Sequence, residues 1–197
     1  MHWSFDPSVL NVANIHVEMW PDLAEYPPTA TQITPFSYGG GGYGYAYTSM
    51  ADGVVDAHFR WMQEYKVKGA FLQWFVIEPT SYRLSIANTV KAKAEKYGRK
   101  FVLEFDISGS KVHPELGCST GPLLVDCIKT RWMAAVDAGI TGSTAYQTFN
   151  GKPLVAIFGI GLNTQDHLTA VDAANLIAWF KTGAPAQYRA STMGGVA

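Results

Sequence analysis

The stretch KFVLEFDISG, residues 100–109, decides how the rest of the chain is interpreted. Every second residue from Phe101 to Ile107 is apolar, which predicts a β-strand with one face packed against a hydrophobic layer. The opposite face of the same strand carries two carboxylates, Glu104 and Asp106. Because an unpaired charge is costly to bury, these two side chains need either a polar partner or a ligand.

Strands and helices alternate along the chain on both sides of this stretch. Apolar runs predict further strands at residues 69–76 and 152–159, and a weaker one at 187–193. Helical spacing and start signals predict four helices, which begin at a capping box Ser49–Asp52, at Thr80 or Ser81, at Pro122, and at Thr164 or Asp166. This alternation predicts an α/β fold with a parallel sheet and outer helices. An open sheet and a (β/α)8 barrel both fit.

The first 52 residues differ in composition from the rest. They are rich in Trp, Tyr, Pro and Gly and show little helical period, so we expect an ordered loop segment there. Within it, Gly39–Gly42 is interpreted as a flexible loop rather than a ligand cradle. The chain of 197 residues shows no internal repeat, and this length suits one sizeable domain. The sequence therefore predicts a single domain over residues 1–197.

Composition excludes several classes of function. The net charge is −1 and there is no basic block, so nucleic-acid binding is not expected. No apolar run approaches the roughly 20 residues of a membrane span. The five histidines lack metal-ligand spacing, and we expect no metal. The two cysteines, Cys118 and Cys127, are compatible with a disulfide or with two free thiols.

The carboxylates of the opening stretch are the first candidates for chemistry. Asp106 lies where the predicted strand ends, with Ser108 in the loop, and sites of parallel α/β folds form at such ends. Residues two apart on a strand are separated by roughly 6.6 Å. Two nearby carboxylates raise one pKa of the pair, which suits the acid and base of glycoside hydrolysis. The alternative is that Glu104 is structural and held by an interior Arg, Lys or Gln. We expect a polar partner for Glu104 on an adjacent strand, with Gln73 as the first candidate, while Asp106 faces ligand.

Further candidates are expected to bind substrate. Gln73 and Trp74 lie on the neighbouring predicted strand, and Glu78 follows it. Trp74 and Trp20 could stack on sugars, although core packing is the favoured interpretation of Trp74. Acidic residues surround Trp20 and would line the same cleft, or would simply be solvated loop carboxylates; they are Glu18, Asp22 and Glu25.

Six motifs occur in an order that resembles a known group of proteins. They are VEMWPDLAEY (17–26), HFRWMQEY (58–65), GAFLQWF (69–75), GRKFVLEFDISG (98–109), NGKPLVAIFG (150–159) and TMGGV (192–196). Together they resemble the (β/α)8-barrel proteins near glycoside hydrolase families 71 and 99, often labelled xylosidase or arabinosidase-like. The residues matched to those motifs include Glu18, Trp20, Asp22, Glu25, Gln73, Asp106 and Ser108. Trp74 and Glu104 depart from the pattern, because Arg and an apolar residue are expected there.

The resemblance implies a barrel of TIM type, here partial, with about four recognisable βα units and without the first and last strands of the family. It also implies a glycoside hydrolase that acts on a poly- or oligosaccharide outside the cell and needs no cofactor. From the strand pattern itself, we expect Asp106 to be a catalytic or sugar-orienting carboxylate and Glu104 to be its catalytic partner or to modify its pKa. Two alternatives stay open, a non-catalytic carbohydrate-binding protein and an inactive barrel fragment. An incomplete barrel would also favour self-association.

Overall fold

The computed structural model describes residues 22–37, 40–161 and 168–194. The chain divides into two compact units, and the boundary lies between Lys66 and Val67. The predictions for Glu18, Trp20, Gly39, Thr164 and Asp166 concern positions outside the described residues.

The first unit contains a β-hairpin and a helix. Strands β1 (Thr31–Ser37) and β2 (Tyr43–Tyr47) pair antiparallel, inside the segment that the sequence analysis assigned to a loop. Pro35 and a register shift interrupt the strand alternation, and Ile33 remains 56% exposed, so the apolar pattern is weak. Helix α1 (Asp52–Glu64) begins after Ala51 without a side-chain cap, so the capping box predicted at Ser49–Asp52 is wrong.

The second unit contains the predicted parallel sheet. Its strands are β3 (Gly69–Phe75), β4 (Lys100–Asp106), β5 (Thr148–Phe149), β6 (Lys152–Phe158) and β7 (Ser191–Gly194). Strands β3, β4, β6 and β7 are parallel and adjacent in chain order, as expected. The short β5 pairs antiparallel with β6 through the Asn150–Gly151 turn, where both residues have positive φ. Within the described residues, the five strands of this unit form an open sheet, not a closed barrel.

Helices follow the strands of this unit. They are α2 (Thr80–Tyr97), α3 (Gly121–Asp137) and α4 (Ala170–Ala178), and a π-helical turn at Trp179–Gly183 extends α4. Gly98 ends α2 in the left-handed conformation, and Pro122 occupies the first turn of α3, both as predicted. Helix α4 is capped by Thr169, which exchanges hydrogen bonds with Asp172, so the helix begins later than expected.

Alternation along the strands separates two faces of the sheet. On one face Phe101, Leu103 and Phe105 are fully buried, and β4 contacts α2. Burial of each such side chain contributes about 1.5–3 kcal/mol, which fixes this face toward the helices. The other face, called the inner face here, carries a smaller cluster of Val102, Leu154 and Ala156 together with the two carboxylates of β4.

Candidate functional site

The strand register places the predicted site residues in rows across the inner face. Gln73 of β3 lies opposite Glu104 of β4, which in turn lies opposite Ala156 of β6. The next row toward the carboxyl ends contains Phe75, Asp106 and Phe158. Partners in a parallel register point to the same side of a sheet. The two carboxylates therefore share the inner face, one row apart.

Asp106 is the more buried of the two carboxylates, with 2% of its surface exposed. Its Oδ2 accepts a hydrogen bond from Gln73 Nε2, and its Oδ1 accepts one from the Ser108 backbone N–H at 2.8 Å. Both carboxylate oxygens thus have a donor, and these donors fix the orientation of the side chain. Ser108 contributes through its backbone, which the sequence analysis did not anticipate.

Glu104 has a different environment. It is partly exposed, and burial together with the nearby Asp106 raises the pKa of its carboxyl group above the ordinary value. Within the part of the chain that the structure describes, no donor pairs with this carboxylate. The expected pairing of Glu104 with Gln73 is wrong, because the Gln73 amide reaches diagonally to Asp106 instead.

A buried arginine, missed by the sequence analysis, supports this end of the sheet. Arg83, in the first turn of α2, is 8% exposed and pairs with Glu78. Its Nη1 donates to the Gln73 carbonyl oxygen at 3.1 Å, and its guanidinium lies 5.9 Å from the centre of the Phe75 ring. Glu78, predicted to bind substrate, therefore holds Arg83 against β3. The sequence does contain a signal for this ion pair, because an Arg follows a Glu by five residues at the junction between β3 and α2.

Trp74 lies on the helix-covered face and not on the inner face. It is 1% exposed, and its ring lies 5.4 Å from that of Phe105. The structure thus places Trp74 in the core, away from Gln73 and Asp106, because successive residues of a strand point to opposite faces.

The acidic loop residues are in the first unit. Glu25 Oε2 accepts hydrogen bonds of 2.8 Å from Arg60 and from Trp61 Nε1, and these donors lower the pKa of the Glu25 carboxyl. Asp22 Oδ1 accepts the Ala24 backbone N–H at 2.9 Å. A shallow cavity of about 360 Å³ is lined by Asp22, Glu25, Trp61 and Tyr65. This cavity combines acceptors with exposed aromatic surface.

The loop after β4 is covalently joined to α3. Cys118 and Cys127 form a disulfide, which settles the alternative that the sequence left open. The short helices Ser110–Val112 and Pro114–Leu116 precede Cys118, so the bond anchors the end of this loop to the helix that follows. Among residues 22–37, 40–161 and 168–194, no three His, Cys, Asp or Glu side chains cluster as metal ligands would.

Comparison with known proteins gives a likeness of fold. No protein-family model and no curated protein matches the chain. A structure of the GH99 endo-alpha-mannosidase from Bacteroides thetaiotaomicron aligns with a TM-score of 0.56 and 17% identity, over 81% of this chain and 40% of that chain. A structure of that enzyme with BIS-TRIS-propane aligns with a TM-score of 0.51 and 16% identity, over 75% and 41%.

These values establish a resemblance to a family 99 fold. The chain spans about 40% of the length of the enzyme it resembles. The likeness to family 71 stays a prediction. Among the described residues, the helices lack the combination of length and apolar character that a membrane-spanning segment needs.

Proposed function

We propose that this chain is a glycoside hydrolase domain that cleaves O-glycosidic bonds of an oligo- or polysaccharide on the inner face of its sheet. The observation that carries the proposal is the arrangement of Glu104 and Asp106 on one face near the carboxyl end of a central parallel strand. Sites of parallel α/β folds form at this end, and a pair of carboxylates is sufficient for glycoside hydrolysis. The fold likeness to a family 99 enzyme supports the same class.

The two carboxylates have distinct roles in this proposal. Glu104 is the general acid, because burial and the Asp106 charge raise the pKa of its carboxyl group, which is the direction that a catalytic acid requires. Asp106 is the orienting or nucleophilic carboxylate, fixed by the Gln73 amide and the Ser108 backbone N–H. Gln73 and Ser108 would also contact substrate hydroxyls. No cofactor enters the reaction.

The sheet belongs, in this proposal, to a (β/α) barrel of TIM type whose described strands are a consecutive part. The fold neighbours are named endo-alpha-mannosidase, so oligosaccharides with α-mannosidic bonds are the first substrates to test. Asp22 and Glu25, with the cavity beside Trp61, are proposed as a carbohydrate contact of the first unit. Glu18 and Trp20 stay predicted substrate-binding residues outside the described ranges. The disulfide supports an extracellular location, since such bonds persist in oxidising compartments.

Turnover of aryl α-mannosides, β-xylosides and α-arabinosides tests the proposal. Glu104→Gln and Asp106→Asn should each lower the rate by roughly 100-fold or more, the scale of lost general acid–base catalysis. Asp126→Asn, which removes an exposed carboxylate of α3, is the matched control and should leave the rate unchanged. Wild-type rates in both site variants would remove these residues from the mechanism.

A non-catalytic carbohydrate-binding protein is the second candidate. Both oxygens of the buried Asp106 already accept hydrogen bonds from the protein, and Glu104 is the more accessible carboxylate of the pair. This arrangement favours the binding protein, because glycoside hydrolysis requires two carboxylates that reach the substrate. Oligosaccharide binding without release of reducing sugar would support this candidate over the hydrolase. Light scattering would test the further expectation of self-association.

A further inference from the structure

Two phenylalanine side chains flank Asp106 on the inner face. Phe75 of β3 and Phe158 of β6 are its register partners on either side, so all three residues belong to one row. Neighbouring strands are about 4.8 Å apart, which places the two phenylalanine backbones roughly 10 Å from each other. The carboxylate thus lies between two aromatic side chains at the carboxyl end of the sheet.

The two rings differ in exposure. The Phe75 ring is partly buried and has the Arg83 guanidinium 5.9 Å from its centre, which holds it in place. Phe158 is 42% exposed. Within the described residues, which end at Gly194, the register of β7 with β6 runs from Leu154 to Ile157. The Phe158 side chain is therefore the more open of the two walls.

Exposure of one aromatic ring is common on protein surfaces, but the position of this pair is specific. Ligand sites combine apolar and aromatic walls with a few convergent polar groups. Here the polar groups are Glu104, Asp106 and the Gln73 amide, in the same row or the adjacent one. A pyranose ring has this mixture of surfaces, since its C–H face is apolar and its hydroxyls form the rim.

We propose that Phe158 and Phe75 form a pyranose-binding subsite around Asp106, with Phe158 as the stacking platform and Phe75 as the fixed opposite wall. The sugar lays its C–H face on the Phe158 ring, whose electron-rich face attracts the weakly positive hydrogens. Its hydroxyls then turn toward the carboxylate row. This subsite rests on the proposed carbohydrate function, and it assigns a ring-stacking position that the carboxylates alone do not specify.

Phe71 provides a matched control within the same sheet. It lies on the inner face of β3, opposite Val102, and is 50% exposed. It is four residues from Phe75 toward the amino end of the strand, a distance of roughly 13 Å. If exposed aromatic surface alone bound sugar, Phe71 and Phe158 would contribute equally.

Isothermal titration calorimetry of the intact chain with α-mannotriose, xylotriose and arabinotriose tests the subsite. Glu104→Gln serves as the common background so that no probe is hydrolysed during the titration. Phe158→Ala and Phe158→Leu should weaken binding of the preferred trisaccharide about tenfold, the upper range for an aromatic contact. Phe158→Tyr, which keeps the ring, should stay within about twofold, and Phe71→Ala should leave the affinity unchanged. Circular dichroism melting confirms that each variant is folded.

Different results overturn different conclusions. If Phe158→Ala binds as tightly as the background, or if Phe71→Ala weakens binding equally, the subsite is wrong while the carbohydrate function stands. If Phe158→Leu retains full affinity, apolar contact rather than ring stacking is responsible, and the platform is wrong. If the wild-type chain hydrolyses none of the probes and the Glu104→Gln background binds none of them, the proposed function and the subsite both fail.

Discussion

Gln73 and Asp106 are joined by a hydrogen bond that crosses diagonally between two parallel strands. The register places Gln73 opposite Glu104, yet its amide donates to Asp106, the next residue on the same face. With the Ser108 backbone N–H at the other oxygen, this bond orients a carboxylate that is 2% exposed. Glu104 is left as the partly exposed member of the pair.

The first prediction concerns this bond. Gln73→Leu removes the donor to Asp106 Oδ2, and an unsatisfied buried acceptor costs about 1–3 kcal/mol. We expect the free energy of unfolding to fall by that amount, measured by urea denaturation. Gln32→Leu, at an exposed position of β1, is the control and should change it little.

A double-mutant cycle separates the bond from packing effects. If the bond matters, Gln73→Leu and Asp106→Leu together should destabilise less than the sum of the single changes, because the second change removes the group left unpaired. Strict additivity of the two changes would show that Gln73 does not stabilise Asp106.

The second prediction concerns Glu104 and pH. Burial and the Asp106 charge raise the folded-state pKa of Glu104 above its ordinary value of 4.5. Its contribution to stability is therefore fully present below about 4.5 and is lost as the pH rises through the folded-state pKa. At neutral pH Glu104→Gln should be more stable than the wild type, and this difference should shrink as the pH falls through the folded-state pKa toward 4.5.

Urea denaturation across this pH range provides the measurement. Asp126→Asn, at an exposed carboxylate, should show no comparable trend. A Glu104→Gln variant that is less stable than the wild type at neutral pH would reveal a stabilising partner for the Glu104 carboxylate and contradict the prediction.

The sequence was most informative where one physical effect dominated. The apolar alternation of β4 and the continuous runs of β3 and β6 predicted parallel strands correctly, because burial of a whole face leaves a clear pattern. The hairpin of β1 and β2 was missed, since Pro35 and an irregular register weaken the alternation. The end of α2 at Gly98 was predicted correctly. The predicted start of α1 was wrong, because the helix begins after Ala51 and not after a cap at Ser49.

The candidate site was predictable in its carboxylates but not in its contacts. The two-residue alternation of side chains along a β-strand predicted that Glu104 and Asp106 share one face of the sheet. It could not specify which of them the Gln73 amide would reach, because that depends on side-chain geometry across two strands. Arg83 was missed for a similar reason, since its partners Glu78 and the Gln73 carbonyl come together only after α2 folds back on β3.

The third prediction compares two arginine–glutamate pairs. The Arg83 side chain is 9% exposed and that of Glu78 29%, whereas Arg60 and Glu25 are 35% and 56% exposed. Breaking a buried pair leaves an uncompensated charge and costs up to about 3–5 kcal/mol. Arg83→Met should therefore destabilise strongly in thermal melts, and Arg60→Met, whose pair is screened by solvent, should cause a much smaller change. Equal losses of thermal stability in the two variants would contradict the role of Arg83 as a buried link between Glu78 and the Gln73 carbonyl of β3.

The last prediction concerns the Cys118–Cys127 disulfide, which spans a separation of nine residues. A cross-link of this size stabilises by about 2–3 kcal/mol, mainly by restricting the unfolded chain. The Cys118→Ala/Cys127→Ala double variant should lose that amount in urea denaturation, and reducing agent should lower the wild type to a similar stability without affecting the variant.

The bond also anchors the loop after Asp106, so hydrogen exchange at residues 110–117 should accelerate in the variant more than exchange within β4. Two free thiols in the native wild-type protein, detected by alkylation and mass spectrometry, would contradict the pairing itself.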